Sequence, residues 1–381
     1  MSDTPANFIP RYFEAFRSIE GWFSFDAALM FMAYNQLIAE QGIAGHTLEI
    51  GVHHGLSAIG MAALRAPHAH FVAIDLFEEL QSQNVSASGS GNRAIFLQNM
   101  KSFYPDTAFL KLIARASNEL MPEDVGQGFS FCNIDGGHSM DETYHDLDLC
   151  RQVLLDGGLA ALDDYFNPMF PGVCEGAVKF MLRDPKTFRP VAVGFNKVLL
   201  QKQPAIVDLN ARFSALFPRI PRVVTTMWNT PTLLLDRCPL RAFFDPPQST
   251  PQRLSPASEH VFGVELGLDR DHLSAPCGSR ATLRVQVANR SAAVLEIMYS
   301  DIGLTYHLQS AEKTMLAWDN DRVSFTRPLK PGQQTALDLP VRVPDQPGTY
   351  YVEIDLVWEG VMWFHETGNP TVLAQLTAVE R

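Results

Sequence analysis

Carboxylates and one histidine stand where apolar runs stop. Asn133-Ile134-Asp135-Gly136-Gly137-His138-Ser139 closes one such run and Ala161-Leu162-Asp163-Asp164-Tyr165 another, while Glu49 and Asp75 close two more. In an open α/β sheet, ligands bind beyond the carboxyl ends of the strands, so Asp135, Asp163 and Asp164 can converge on one crevice with Glu49 and Asp75. Carboxylates gathered in this way repel unless neutralised. A hard divalent cation such as Mg²⁺ accepts a few carboxylate oxygens and keeps waters; at Asp135, Asp163 and Asp164 it would relieve the repulsion and leave positions for substrate hydroxyls. The competing reading is that Asp163 or Asp164 caps the turn before the next element.

His138 lies three residues beyond Asp135 at the start of a helix from Ser139, which places its imidazole near the crevice. An imidazole titrates near pH ~6.5, so His138 is the candidate general base for a substrate proton, with Asp135 beside it. A lone histidine often serves structure instead. Here Gly136 and Gly137 let backbone pass close to a ligand, which favours the chemical role. His53 and His54 compete for it, but their place in the turn after Glu49 suits contact with a bound ligand better.

That turn belongs to Leu48-Glu49-Ile50-Gly51-Val52-His53-His54-Gly55, an apolar strand ending in an acid and running into a glycine-bracketed turn that opens a helix. The second run, Phe71-Val72-Ala73-Ile74, ends in Asp75, where an α/β nucleotide fold puts the carboxylate that holds ribose hydroxyls. Dinucleotide folds bring backbone against a pyrophosphate with G-x-G-x-x-G. Here the spacing is Glu49-x-Gly51-x-x-x-Gly55 without a third glycine, and no phosphate cradle is visible. A nucleoside with an amino-acid tail and no phosphates fits better than NAD.

Glu49-x-Gly51-x-x-x-Gly55 followed by Asp75 resembles class I S-adenosylmethionine-dependent methyltransferases. The resemblance implies a donor site at Glu49, Gly51, His53, Gly55, Ser57, Asp75, Leu76 and Asp135, with Ser117 on the adenine side. Ile74-Asp75-Leu76-Phe77, the stretch Gln83 to Asn92, Ile134-Asp135-Gly136-Gly137-His138-Ser139 and Leu162-Asp163-Asp164-Tyr165 narrow it. Together they resemble the group that includes macrolide-sugar O-methyltransferases and cephalosporin hydroxylase-like proteins, over about residues 40 to 200. By position, the resemblance implies Mg²⁺ on Asp135, Asp163 and Asp164 and a base at His138. Asp163 stands where some relatives have Glu.

The chain has 381 residues, which suggests two or three domains. Lys plus Arg number 30 against 42 acids, and the net charge of −12 argues against a nucleic-acid partner, which asks for basic patches. No run approaches the ~18 apolar residues of a membrane span. Met1 to Glu20 lack the basic start and apolar core of a secretory signal, and five scattered cysteines without C-x-x-C spacing read as reduced thiols, so a cytoplasmic location is expected.

Continuous apolar runs at His46–Ile50, Phe71–Asp75, Phe109–Ile113, Phe129–Asp135 and Leu159–Asp163 predict buried parallel strands. Helical patterns at Leu56–Arg65, Arg93–Phe103, Met140–Leu155 and Val173–Arg183 lie between them. Phe188 to Gln201 read as two short strands around a Gly-Phe-Asn turn, an antiparallel hairpin weakened by Pro190. The layout predicts a Rossmann-like α/β methyltransferase domain, with a mostly parallel sheet closed by that hairpin, over residues 1–238 including an N-terminal helical segment. Glu78 to Asn92, rich in Ser, Gly and Gln, reads as a lid over donor and acceptor or as a solvated loop.

Prolines at 239, 246, 247, 251 and 256 predict an extended linker over residues 239–260. Beyond it, period-two alternation in Ala281–Ala288, Ala336–Val343 and Gly348–Val357, with Pro-Gly turns at 331 and 347, predicts an all-β sandwich over residues 261–381. It resembles immunoglobulin-like modules appended to bacterial sugar and polysaccharide enzymes. Its expected roles are carbohydrate binding, homo-oligomerisation or docking of an assembly partner. Trp358, Trp363 and Phe364 would stack on sugar faces or fill the core.

The expected function is S-adenosylmethionine-dependent, metal-assisted O-methyl transfer to a hydroxyl of a sugar, glycan or related small molecule. The alternative is a catalytically silent nucleoside-fold binding or scaffold protein in a polysaccharide or natural-product pathway.

Overall fold

A computed structural model describes residues 8–84, 88–205, 207–236, 240–245, 254–256, 262–291, 294–295, 302–359 and 362–380. The chain divides into two compact units, Met1–Pro256 and Ala257–Arg381.

In the first unit, strands β1 (His46–Ile50), β2 (Phe71–Asp75), β3 (Leu110–Ala114), β4 (Phe129–Ile134) and β5 (Leu154–Leu162) are followed by β6 (Phe188–Gly194), β7 (Lys197–Lys202), β8 (Val223–Met227) and β9 (Thr230–Leu234). They form one sheet in the order β3-β2-β1-β4-β5-β7-β6-β9-β8. The first five pair in parallel, and β7 runs antiparallel to β5 and β6. Helices α1 (Phe8–Ala15) and α2 (Phe25–Ala39) precede the sheet; α3 (Leu56–Leu64), α4 (Arg93–Phe103), α5 (Pro122–Val125), α6 (Met140–Val153) and α7 (Pro171–Arg183) lie between strands, and α8 (Leu209–Leu216) follows β7. This is a Rossmann-like, mostly parallel α/β sheet with an antiparallel closing strand.

β4 is buried at every position and β1 at all but its first, which explains their unbroken apolar sequences. Alternate residues Leu48, Ile50, Val72, Ile74, Cys132, Ile134, Ala160 and Leu162 share a core with Leu147 and Cys150 of α6 and Val173, Ala177 and Phe180 of α7. The register then sets up the site. Ile50 pairs with Ile74 and with Ile134, and Ile134 pairs with Leu162. Gly51, Asp75, Asp135 and Asp163 are therefore the next residues of four neighbouring strands, at one edge of the sheet.

The hairpin of β6 and β7 has the expected Gly-Phe-Asn turn, and its register slips between Pro190 and Ala192, where the ring removes a donor. The sheet also extends by β8 and β9, beyond the expected closing hairpin. Their turn is Trp228-Asn229, both with positive φ, and it lacks the glycine that marks a hairpin turn in a sequence. β5 begins five residues earlier than expected, at Leu154, because Leu155 and Asp156 are exposed and hide its start from an apolar pattern.

The second unit is all-β. Val264–Leu268, Arg280–Asn289 and Gln334–Arg342 form one antiparallel sheet. His272–Pro276, Val372–Val379, Gly348–Trp358, Ile302–Gln309 and Met315–Ala317 form a second. The Tyr306 hydroxyl of the second accepts a hydrogen bond from Arg342 N of the first, at 2.9 Å. Leu283, Val285, Val287, Leu339 and Val341 from one sheet and Leu304, Ile354, Leu356 and Leu376 from the other are buried, in the alternation a two-sheet core requires. Trp358 and Phe364 are 2% and 1% exposed and belong to that core, so the aromatic surface expected from them reduces to Trp363. Most of the expected linker, residues 239–260, lies outside the described residues; within it, Phe244–Asp245 pairs with Ser255–Pro256.

Candidate active site

Gly51 makes the first turn possible. Its φ is +83°, and a Cβ there would lie 1.8 Å from the Asp135 carbonyl oxygen, so only glycine lets the β1 and β4 ends approach this closely. Gly55, at φ +91°, caps α3 in the left-handed region. Asp75 ties this turn down: one carboxylate oxygen accepts the N–H groups of Val52 and His53, both at 2.8 Å, and the other accepts Phe77 N–H at 2.8 Å. A carboxylate has about four acceptor positions, so room remains for a ribose hydroxyl. Leu76 lies between Asp75 and Phe77, half-buried. Gly91 packs against the same turn, its Cβ position 3.1 Å from His53 Cα and 3.3 Å from an Asp75 oxygen. That places the described end of the expected lid on the turn; Val85, Ser86 and Ala87 lie outside the described residues.

Glu49 is 0% exposed. One oxygen accepts from Asn133 Nδ2 at 2.8 Å, while Glu49 Oε2 and Asn133 Oδ1 are buried without a hydrogen-bond partner. Burial raises the Glu49 carboxyl to about 7, with Ser57, Asn133 and Lys197 beside it pulling the other way. Buried acceptors without a partner call for a cation or an N–H donor. Ser117, expected on the adenine side, sits in a short turn after β3 beside Asp146 of α6, whose carboxyl burial also raises.

At the β4 end, Ser139 opens α6 with a reciprocal cap: its hydroxyl accepts from Glu142 N at 3.3 Å, and Glu142 accepts from Ser139 N at 3.2 Å. This fixes His138 one residue before the helix. The imidazole stacks on Phe170 at 4.1 Å, and its Nε2 lies 2.9 Å from Asp164 Oδ2 and 3.8 Å from Asp135 Oδ1. Asp164 has φ +58°, and its other oxygen accepts from Asn167 at 2.9 Å and Asn196 at 2.6 Å. Burial opposes its ionisation, but the bonds from His138, Asn167 and Asn196 outweigh that and hold the carboxyl below the usual range. Asp164 is then an ionised acceptor, and His138 Nε2 faces it at hydrogen-bond distance. Asp135 differs: burial, followed by the charge of Asp163, pushes its carboxyl well up.

Asp163 does not join this group as the expected metal ligand. Its Oδ1 accepts Asp164 N–H at 2.8 Å, and its Oδ2 is ion-paired with Lys197, both side chains almost fully buried. The sheet dictates that pairing, because Leu162 faces Val198 across β5 and β7 and the next pair is Asp163 and Lys197. The donor atoms of Asp135, His138 and Asp164 all lie within 4.8 Å of one another. For a divalent cation, Asp135 and Asp164 fit as carboxylate ligands and Asp163 does not. Lys197 and Asn196 were missed in the sequence because they act from a hairpin read only as closing the sheet; a lysine inside an apolar strand, Lys197-Val198-Leu199-Leu200, was the available signal.

Residues 48–165 match the family described as a methyltransferase domain. The chain carries that domain and is an S-adenosylmethionine-dependent methyltransferase. Similar solved structures include the O-methyltransferase NovP, at 13% identity over 46% of this chain and 79% of that one, with a TM-score of 0.39. The O-methyltransferase from Bacillus cereus in complex with SAH is 12% identical over 52% of this chain and 91% of its own, TM-score 0.37. TomG from Streptomyces achromogenes, an O-methyltransferase of tomaymycin synthesis in complex with SAM, is 17% identical over 45% and 79%, TM-score 0.34. A search of curated protein sequences returns no match. Among the described residues no helix is long and apolar enough to cross a membrane.

Proposed function

We propose that the chain transfers the methyl group of S-adenosylmethionine to a hydroxyl of a sugar, glycan or related small molecule at the crevice formed by Asp135, His138 and Asp164. The observation that carries this reading is the Asp164–His138 pair, 2.9 Å apart and next to Asp135, at the carboxyl edge of the sheet. His138 takes the hydroxyl proton as the oxygen bonds to the methyl carbon and the sulfonium S–C bond breaks, releasing S-adenosylhomocysteine, and Asp164 orients the ring and balances the imidazolium. Asp135, whose Oδ1 is 3.8 Å from His138 Nε2, positions the hydroxyl. Glu49 receives the amino group of the donor's methionine moiety, Gly51, His53, Gly55 and Ser57 shape the turn around it, and Asp75 with Leu76 holds the ribose. A Mg²⁺ ion held by Asp135 and Asp164, when bound, supplies Lewis-acid stabilisation of the substrate oxygen.

Tyr165, Phe166, Met169 and Phe170 lie between β5 and α7, and Phe166 and Met169 are 56% and 78% exposed. They offer an apolar platform for the acceptor ring. The β-sandwich is an immunoglobulin-like accessory module, with carbohydrate binding as its role. The test is methyl transfer from labelled donor across a panel of free and nucleotide-linked sugars, with and without Mg²⁺. His138→Gln should lower kcat by roughly 10²–10⁴ while donor affinity stays near that of the wild type. Full turnover in that variant would refute the assignment.

A further inference from the structure

The second unit carries a side-chain cluster that methyl transfer does not use. His307 and Asp355 lie on adjacent antiparallel strands, with His307 opposite Glu353 and Asp355 opposite Thr305, so the two share a sheet face as diagonal neighbours. His365 comes from the turn Phe364–Thr367, which follows a two-residue strand paired to Val357 and Trp358. His365 Nδ1 lies 2.6 Å from Asp355 Oδ2, and His307 Nε2 lies 4.0 Å from the same oxygen. The three donor atoms all fall within 4.8 Å of one another.

The tautomer of His307 is what makes this a site. Its Nδ1 contacts the Trp318 carbonyl oxygen, which can only accept, so Nδ1 carries hydrogen and, in the neutral ring, Nε2 carries the lone pair. Nε2 is buried without a hydrogen-bond partner. A lone pair facing a carboxylate oxygen is repulsive unless a cation or a proton lies between them. The supporting bonds are those of a built metal site: a ligand histidine whose other nitrogen donates to a backbone carbonyl, and a carboxylate whose second oxygen is held by Leu356 N–H at 2.8 Å. Two imidazoles and one carboxylate suit a borderline cation that binds N and O donors at ~2.0–2.2 Å, leaving a fourth position open. Trp318, 44% exposed and stacked on His307 at 4.1 Å, and Trp363, 4.7 Å from the same ring, roof the cluster.

We propose that His307, Asp355 and His365 form a zinc-type metal site in the β-sandwich. The inference is independent of the acceptor and of the first unit's chemistry. It is tested on the full, tag-free chain after chelator treatment, by calorimetric titration with Zn²⁺. The wild-type chain should bind the ion at micromolar concentration or tighter. His365→Ala, at a half-exposed position, should weaken that binding at least about tenfold, and His138→Ala, which breaks the other cluster capable of holding a metal among the described residues, should leave it in place. Absence of Zn²⁺ uptake by the folded His138→Ala chain, or uptake undiminished by His365→Ala, would overturn the proposal in favour of a proton-bridged pair.

Discussion

Glu49 links donor binding to stability in a way that can be measured before any acceptor is known. Burial raises its carboxyl from 4.5 to about 7. At about 1.4 kcal/mol per pKa unit, ionised Glu49 costs the donor-free fold about 3 kcal/mol. The folded state holds this proton more tightly than the unfolded chain, so the Glu49 contribution makes stability fall as pH rises from about 4.5 to about 7, with the full loss present above that window. Glu49→Gln keeps an acceptor for Asn133 and removes the charge. Urea unfolding of the donor-free variant at pH 8 should therefore show a gain of about 2–3 kcal/mol over the wild type, shrinking toward zero near pH 4.5. The same substitution should abolish most of the stabilisation produced by added S-adenosylmethionine, because the cation the carboxylate awaits loses its partner. A variant less stable than wild type at pH 8, or a gain that does not depend on pH, would refute the reasoning.

Removal of Lys197 should have the opposite sign. Lys197→Met leaves Asp163 charged and almost fully buried, at a cost of about 3–5 kcal/mol in urea unfolding, and Lys197→Met with Asp163→Leu should recover most of it. A single variant within about 1 kcal/mol of wild type would show that the pair carries no such energy. Gly51→Ala forces a Cβ against the Asp135 carbonyl at a positive φ; it should cost at least about 2 kcal/mol and eliminate donor binding in a calorimetric titration. Donor affinity unchanged in that variant would separate the turn from the donor site.

The sequence was most informative where burial is symmetrical. Strands β1, β2 and β4 are packed on both faces and read as continuous apolar runs, so the placement of Glu49, Asp75 and Asp135 at one edge of the sheet was legible from strand boundaries. The ion pair of Asp163 was hidden for a topological reason: its partner Lys197 is 34 residues away in sequence and meets it only when β7 turns antiparallel beside β5. Asn196, bonded to Asp164 from a turn at positive φ, was hidden in the same way. In the second unit, Arg280–Asn289 showed its period-two pattern, but Ile302–Gln309 did not: Thr305 and His307, on its outer face, are as buried as its core residues. The same burial conceals the His307, Asp355 and His365 cluster from any reading of spacing.

The central claim is that the crevice around Glu49, Gly51 and Asp75, beside Asp135 and His138, holds the methyl donor. It is tested most directly by calorimetric titration of the chain with S-adenosylmethionine, with NAD⁺ as control and Gly51→Ala as the blocked site. The account predicts one donor site of micromolar affinity, none for NAD⁺ and none in the variant. Silence with S-adenosylmethionine, or equal binding by the Gly51→Ala chain, would contradict it.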